Sequence, residues 1–555
     1  MPNVEDADSR GLYPAIGGSF PSIHGLWGLG IALGVGTVVG ISYLLTHPYP
    51  AYGAGLYLQI AEQIVDNGYR LPVSVPNYTA DGVPFAYPPL MFYVSAVLMD
   101  VGGVTPLALS RYLPVVVTTL YLVPYYFLSR ELLDSNLEAT IATTLLAVTP
   151  PTLQWHLSAG GLVRAPAFLF ALAGIYVGVK LFRSGSALLL FPATILFGLT
   201  VLTHPVYTVF FVVSYLLVYA VLDRSIRGLF LGAVVGFGGI ALAAPWWLRV
   251  ISIHGADVFT SAAGTHSGLL GGPGRILEEF VYTLAGDPSS AMFFVLAYAG
   301  MFYVLGTGRV LLPAWLLTAG LVLGKHRFQF VAGSMLAAVL LSSLVENAVR
   351  ERIPAGSWRW APRVALAVVV VASVSVGALY GAGGLAIGGA DGPDQPQFID
   401  GDDRRAMLWV GDHTNRSAGF VVLGDVAEWF PMFTDRTILV GPWGVEWTSP
   451  KQYATQLSLY ENVSTCPTER CVTEALGSRN LTPEYLYVPK GTYTIRGAEY
   501  EGTAGLRHSL VSSDRYRLVY ENEGASVFRV TNETESTELV DVPSVGGPPS
   551  PVPAR

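Results

Sequence analysis

Charge is scarce in this chain. Charged side chains make up 13% of its 555 residues, where a soluble protein carries roughly 25%. Hydrophobic residues reach 52% and mean hydropathy is +0.47, which together exclude an ordinary water-soluble globule. The shortage is local. Up to residue 388 apolar runs alternate with short polar links, whereas residues 390–555 hold 23 acids against 14 bases, so nearly all of the net charge of −8 lies there. Such an acidic excess suits a solvated exterior, and no nucleic-acid partner is expected.

Cysteine is scarcer still. Cys466 and Cys471 are the only two, too few for a zinc cluster without accompanying histidines. Their closeness favours a local disulfide in an oxidising exterior. No nucleotide fingerprint precedes a helix in the C-terminal part, which points away from a nucleotide-linked substrate.

What the chain does have is membrane-spanning sequence. A spanning helix needs about 20 mostly apolar residues. The first run, 25–45, follows a polar segment, 1–24, and is too long for the core of a cleaved signal peptide, so it reads as a retained anchor. Ten more follow at 107–130, 137–153, 165–182, 186–203, 205–222, 228–247, 289–306, 309–323, 328–345 and 364–386. The run 88–102 is short and reads as a juxtamembrane or re-entrant helix. The expected fold is thus a polytopic α-helical membrane domain of about eleven spans, 25–388, followed by an extracytoplasmic α/β domain, 389–532, and a disordered tail, 533–555. Within the α/β domain, 420–423, 437–441 and 485–488 read as short buried strands and 450–459 as a helix.

An odd span count puts the chain ends on opposite sides. With the N-terminus cytoplasmic, Arg130, Lys180, Arg183, Arg224, Arg227, Arg309, Arg350, Arg352, Arg359 and Arg363 fall inside, as the positive-inside rule asks. The outer loops hold fewer bases: Arg70, Arg111, Arg164, Arg249, Arg275, Lys325 and Arg327. Five of the ten asparagines begin N-glycosylation sequons, namely Asn77, Asn415, Asn462, Asn480 and Asn532. All five fall on the side assigned outside, where glycans are added.

Three outer segments, 47–89, 154–166 and 251–288, are too long or polar to be mere connectors. In the first, Leu56, Ile60 and Ile64 share one helical face while Gln59, Glu62, Gln63 and Asp66 face away, and Asn67-Gly68 ends the helix. Such a helix is expected to lie in the membrane interface. A turn, Asp81-Gly82-Val83-Pro84-Phe85-Ala86-Tyr87, then enters Pro88-Pro89-Leu90.

This order resembles the GT-C superfamily of membrane glycosyltransferases, which use polyprenyl-phosphate sugars. Among them the catalytic subunit of oligosaccharyltransferase is most similar, through Ser158-Ala159-Gly160-Gly161-Leu162-Val163-Arg164, through Arg327-Phe328 at a late span, and through Ala406-Met407-Leu408-Trp409-Val410 to Asn415 at the start of the soluble domain. The resemblance implies a polyprenyl (dolichyl) phosphate-linked sugar donor and an acceptor glycan, protein or lipid on the outer face. This chain also departs from the pattern. The first-loop catalytic aspartate falls at Gly53, the second-loop carboxylates fall at Val163 and Ala165, and Gly424-Asp425-Val426-Ala427-Glu428-Trp429 replaces the tryptophan-rich acceptor motif. A divalent cation needs clustered carboxylate oxygens, so no metal cofactor is expected.

Transfer from a lipid monophosphate needs a base for the acceptor and cations for the phosphate. Asp81 and Glu62 are the first-loop candidates for the base; against them, turn aspartates often bond their own backbone and Glu62 suits the solvated face of its helix. Asp425, Glu428 and Trp429 are further candidates. For the phosphate the candidates are Arg327, Lys325, His326, Arg164 and Arg249, whose alternative role is anchoring at the membrane interface. His204 stands at a span junction, where a structural role competes. Loop 251–288, with His254, Asp257, His266 and Gly271-Gly272-Pro273-Gly274, suits a mobile cover. A scaffold that has lost its chemistry is the rival reading. A transporter is disfavoured, because the spans carry almost no charge at mid-depth and no repeated broken helices. The orientation is testable by cysteine labelling in intact cells: a cysteine placed beside Asn480 should react and one beside Arg227 should not, and the reverse pattern would invert the topology.

Overall fold

The computed structural model describes residues 26–264, 274, 288–352, 361–383 and 395–531. The N-terminal segment, Asn532, the tail, His266 and Gly271-Gly272-Pro273 lie outside the described residues.

The N-terminal two-thirds is a bundle of apolar helices. Five are long and apolar enough to cross a membrane: Trp27–Thr46, Pro106–Leu133, Gly161–Ser184, Pro205–Leu222 and His326–Glu346. A sixth crossing is formed if the pair Ile226–Leu242 and Ala244–His254, bent by 57°, is one span. Length and composition therefore support five or six spans among the described residues, against the eleven expected. Two further helices at expected spans, Pro288–Gly306 and Ala361–Gly381, run to 19 and 21 residues, whereas Leu311–Leu323 is shorter. The expected span at 137–153 is split in two, Asn136–Leu146 and Pro150–Leu157, because two successive prolines, Pro150 and Pro151, suit a helix start and not its interior. The run 88–102 yields the 11-residue helix Leu90–Asp100.

Small residues set the helix spacing, as expected where lipid removes the hydrophobic drive for helix pairing. A Cβ at Gly300 would lie 2.3 Å from the Leu336 carbonyl oxygen, so Pro288–Gly306 and His326–Arg352 touch backbone to backbone. Polar side chains bridge the same bundle: the Tyr125 hydroxyl donates to the Val331 carbonyl at 2.8 Å and the Trp315 indole to Ser214 at 3.0 Å.

In the first outer loop β1 (Ser74–Val75) pairs antiparallel with β2 (Val83–Pro84). The C-terminal part is built on β3 (Gly419–Val422), β4 (Thr437–Ile438), β5 (Tyr485–Pro489), β8 (Tyr516–Glu521) and β9 (Ala525–Val530), which form a five-stranded sheet in the order β4-β3-β5-β9-β8. β3 is parallel to β4 and β5, as in an α/β arrangement, whereas β5, β9 and β8 are antiparallel. The sheet is therefore mixed. A separate hairpin joins β6 (Thr492–Ile495) to β7 (Ala498–Glu501). Cys466 and Cys471 are joined to each other as a local disulfide.

The first outer loop departs from expectation. Its helix, Gly55–Asp66, does not lay Leu56, Ile60 and Ile64 on a lipid surface. They are buried in one core with Phe92 of the short helix, Leu162 of the second loop, and Met407, Phe420, Trp429 and Phe430 of the soluble part. The soluble part thus shares a core with the membrane part. They approach backbone to backbone at Gly55, where a Cβ would lie 2.1 Å from the backbone oxygen of Glu428. Gly55→Ala should push the two parts apart, at a cost of about 1–3 kcal/mol. Lowered thermal stability and faster proteolytic release of the C-terminal part would register it, and unchanged behaviour would refute the contact.

Candidate active site

The segment before the first-loop helix is pinned from three directions. The Ala159 amide of the second loop donates to the Ala51 carbonyl at 2.9 Å, and the Tyr52 amide donates to Pro396 at 2.7 Å. The buried Trp429 indole donates to the Tyr52 carbonyl at 3.3 Å. Tyr52 sits at φ 58°, an uncommon conformation for a residue with a side chain. Gly53 is thereby presented bare to the soluble part. The space its side chain would fill is taken: a Cβ there would lie 2.0 Å from Oε2 of Glu428. The Glu428 backbone is fixed too, since its carbonyl accepts from the Tyr78 hydroxyl at 2.7 Å.

Within electrostatic reach of the carboxylate stands Arg164, and Arg327 shares an aromatic ring with it. Arg164 lies in the first turn of Gly161–Ser184, folded back over Gly160, where a Cβ would meet its Nη1. Its guanidinium is 5.0 Å from the Trp155 ring. Arg327 is 7% exposed and stands 5.7 Å from the same ring, 5.4 Å from Tyr207 and 5.0 Å from Phe328. Aromatic faces give partial compensation to a desolvated cation. His156, buried beneath, shares a 2.6 Å hydrogen bond with the Tyr207 hydroxyl, and Phe328 stacks on Phe210 at 4.4 Å. Among the described residues, neither arginine forms an ion pair with a carboxylate, and the Arg327 Nε has no hydrogen-bond partner. A buried donor without a partner costs about 1–3 kcal/mol, which an anionic ligand would relieve.

Acids on the soluble side complete the cleft. Burial and the neighbouring Asp425 carboxylate push Glu428 up to about 8, with Arg164 and Arg496 pulling the other way. Glu446, on the short turn Val445–Trp447, is pushed up to about 7 by burial, offset partly by backbone amides and Arg496. It was not among the sequence candidates, and its signal was an acid inside the run Gly441-Pro442-Trp443-Gly444-Val445-Glu446-Trp447. Tyr57 and Tyr87 bond to one another between these acids and Arg164. His204 caps the helix Pro205–Leu222 through Nδ1, at 3.3 Å from the Val206 amide. It stands edge-on to Tyr87 and Tyr207, in the wall of the cleft.

Other sequence candidates lie elsewhere. Asp81 is exposed in a turn. Glu62 is raised to about 7 by burial and by Asp66 and Asp435, in a separate acidic groove with Gln59 and Asp100. Arg249 is exposed and donates to the Leu71 carbonyl at 3.0 Å, and His254 meets the Val73 carbonyl at 2.9 Å, so both tie down the first loop. Asp425 is 2% exposed and accepts from Tyr460 at 2.7 Å and from the backbone amides of Arg496 and Gly497 at 3.0 and 2.8 Å. That fixes the β6–β7 hairpin. Lys325 and His326 are half-buried just before Arg327. Val163 and Ala165 are fully buried, and among the described residues no group of three or more His, Cys, Asp or Glu is placed to hold a metal. Of the sequons, Asn415, Asn462 and Asn480 are exposed, while Asn77 is half-buried and bonded to Asp435 and Thr437.

No family model matches the chain, and no curated protein is similar to it in sequence. Solved structures are similar in fold. The archaeal oligosaccharyltransferase AglB from Archaeoglobus fulgidus, in complex with an inhibitory peptide and a dolichol-phosphate, superposes with a TM-score of 0.55 at 14% identity, over 86% of this chain and 74% of that one. The fold is that of the GT-C membrane glycosyltransferases. The arabinofuranosyltransferase AftD from Mycobacteria gives a TM-score of 0.52 at 13% identity, over 92% of this chain and 40% of its own. ArnT from Cupriavidus metallidurans, bound to undecaprenyl phosphate, gives 0.50 at 13% identity, over 92% and 99%. On this fold, Arg164 and Glu428 meet where the second loop and the soluble part converge, with Arg327 beside Arg164 on the Trp155 ring. Two substitutions separate it from the remaining acids. Asp425→Ala should destabilise the soluble part by about 1–3 kcal/mol by leaving the Tyr460 hydroxyl and two amides unpaired, whereas Asp81→Asn should leave stability and transfer within about twofold. Thermal denaturation of both variants checks this.

Proposed function

We propose that the protein is a glycosyltransferase of the outer membrane face, moving a sugar from a polyprenyl monophosphate to a hydroxyl acceptor without a metal ion. One observation carries the reading: two guanidiniums, the buried Arg327 and the half-buried Arg164, share the Trp155 ring and make no ion pair with an acid among the described residues. Burying cations is costly unless charge of the other sign arrives, and a phosphate offers oxygens in the geometry a guanidinium fork accepts. The leaving phosphate gains negative charge as the sugar departs, so fixed cations there favour the transition state over the bound donor. Phe328, stacked on Phe210 in the bundle core, fixes the backbone that carries Arg327. Fold similarity to proteins solved with dolichol-phosphate and undecaprenyl phosphate supports a lipid-phosphate donor. The acceptor is a glycan, protein or lipid, and the N-terminus is cytoplasmic with the C-terminal domain, 389–532, outside. Lys325 and His326 are proposed to assist Arg327 at the rim.

Arg327→Ala should lower turnover by about two to three orders of magnitude, the scale for one lost oxyanion donor, with Arg327→Lys recovering only part. The assay uses the lipid-linked sugar that accumulates when the gene is deleted. Wild-type turnover by a well-expressed Arg327→Ala protein would move the phosphate site elsewhere.

A further inference from the structure

The reaction also needs a proton acceptor, and the first loop offers none beside the two arginines. We infer that Glu428, carried on the soluble part, is the base: its carboxylate fills the side-chain space left open by Gly53, within electrostatic reach of Arg164. The inference rests on the donor-phosphate reading of Arg164 and Arg327.

Three observations support it. Glu428 is half-buried, so the residue keeps some solvent-accessible surface. Its backbone is fixed by Tyr78 and by the close approach of Gly55, while its carboxylate makes no hydrogen bond or ion pair among the described residues. Asp425, by contrast, is engaged at both oxygens. The groups around Glu428 are Asp425 and Glu446 from the soluble part, which raise it, and Arg164 from the second loop with Arg496 from the hairpin, which lower it. Tyr57 and Tyr78 complete the surroundings. The balance leaves a carboxyl that titrates at about 8, close to the operating range a general base requires.

The step balances as a single displacement. The acceptor hydroxyl gives its proton to a Glu428 carboxylate oxygen as its own oxygen forms a bond to the anomeric carbon. The bond from that carbon to the phosphate oxygen breaks, and its electron pair leaves with the prenyl phosphate, held by Arg164 and Arg327. Glu428 then returns the proton to water. The product has the opposite anomeric configuration to the donor.

The experiment compares full-length wild type, Glu428→Gln, Gly53→Ala and Arg327→Ala on the lipid-linked sugar extracted from the deletion strain, with dolichyl phosphate as the binding probe. Glu428→Gln removes the base and Gly53→Ala keeps it but displaces it, since a methyl group at 53 would overlap the carboxylate. Both should bind dolichyl phosphate like wild type and transfer sugar about 10²–10⁴-fold more slowly. Wild-type turnover should climb with pH to a plateau above about 8, because the base works only when ionised, and the Glu428→Gln profile should be flat there. If Glu428→Gln fails to fold, Gly53→Ala decides alone. Transfer within about threefold of wild type by either folded variant, or an unchanged pH profile in Glu428→Gln, overturns the inference. If Arg327→Ala still loses transfer in that case, the phosphate reading stands. Undiminished dolichyl phosphate binding and transfer by Arg327→Ala would remove the reading on which the inference rests.

Discussion

Two residues without side chains, Gly53 and Gly55, flank Ala54 and set the distance between the membrane part and the soluble part. At Gly55 the Glu428 backbone comes to where a Cβ would stand, and at Gly53 the Glu428 carboxylate does the same. Everything else at the junction is arranged around that approach. Trp429 bonds back to Tyr52, Tyr78 bonds to Glu428, and the first-loop helix buries Leu56, Ile60 and Ile64 against Trp429 and Phe430. A core shared in this way holds the cleft at a fixed width, which is the condition for charged groups to be preorganised and not merely adjacent.

The electrostatics of the cleft are divided by origin. Membrane helices and the second loop supply cations, Arg164 and Arg327, kept near one another by aromatic faces. The soluble part supplies acids, Glu428 and Glu446, held toward their neutral forms by burial. A carboxyl raised from 4.5 to about 8 contributes stability that is complete below about 4.5 and is lost as pH rises through 8.

Much of this was legible in the sequence, for physical reasons that differ by element. Apolar runs of spanning length identified the long helices, because lipid permits little else. Their number was less legible, since Pro150 and Pro151 break one run and a 57° bend divides another. Arg164 and Arg327 stood out as bases at outer span ends, against the charge bias of the chain. Gly53 was readable as a missing carboxylate, but the acid filling its place comes from position 428, and no local pattern links the two. The first-loop helix was read correctly as amphipathic and wrongly as lipid-facing, because periodicity reports an apolar face and not what covers it. The antiparallel strands β8 and β9 went unread although Asn522-Glu523-Gly524 between them carries turn chemistry.

The account is tested most directly by a structure of the full-length protein with dolichyl phosphate bound. The phosphate is expected within hydrogen-bond distance of both Arg164 and Arg327, with the Glu428 carboxylate on the side of the sugar away from the phosphate. A phosphate bound at Arg249, in the acidic groove beside Glu62, or anywhere that leaves both Arg164 and Arg327 unpaired would contradict it.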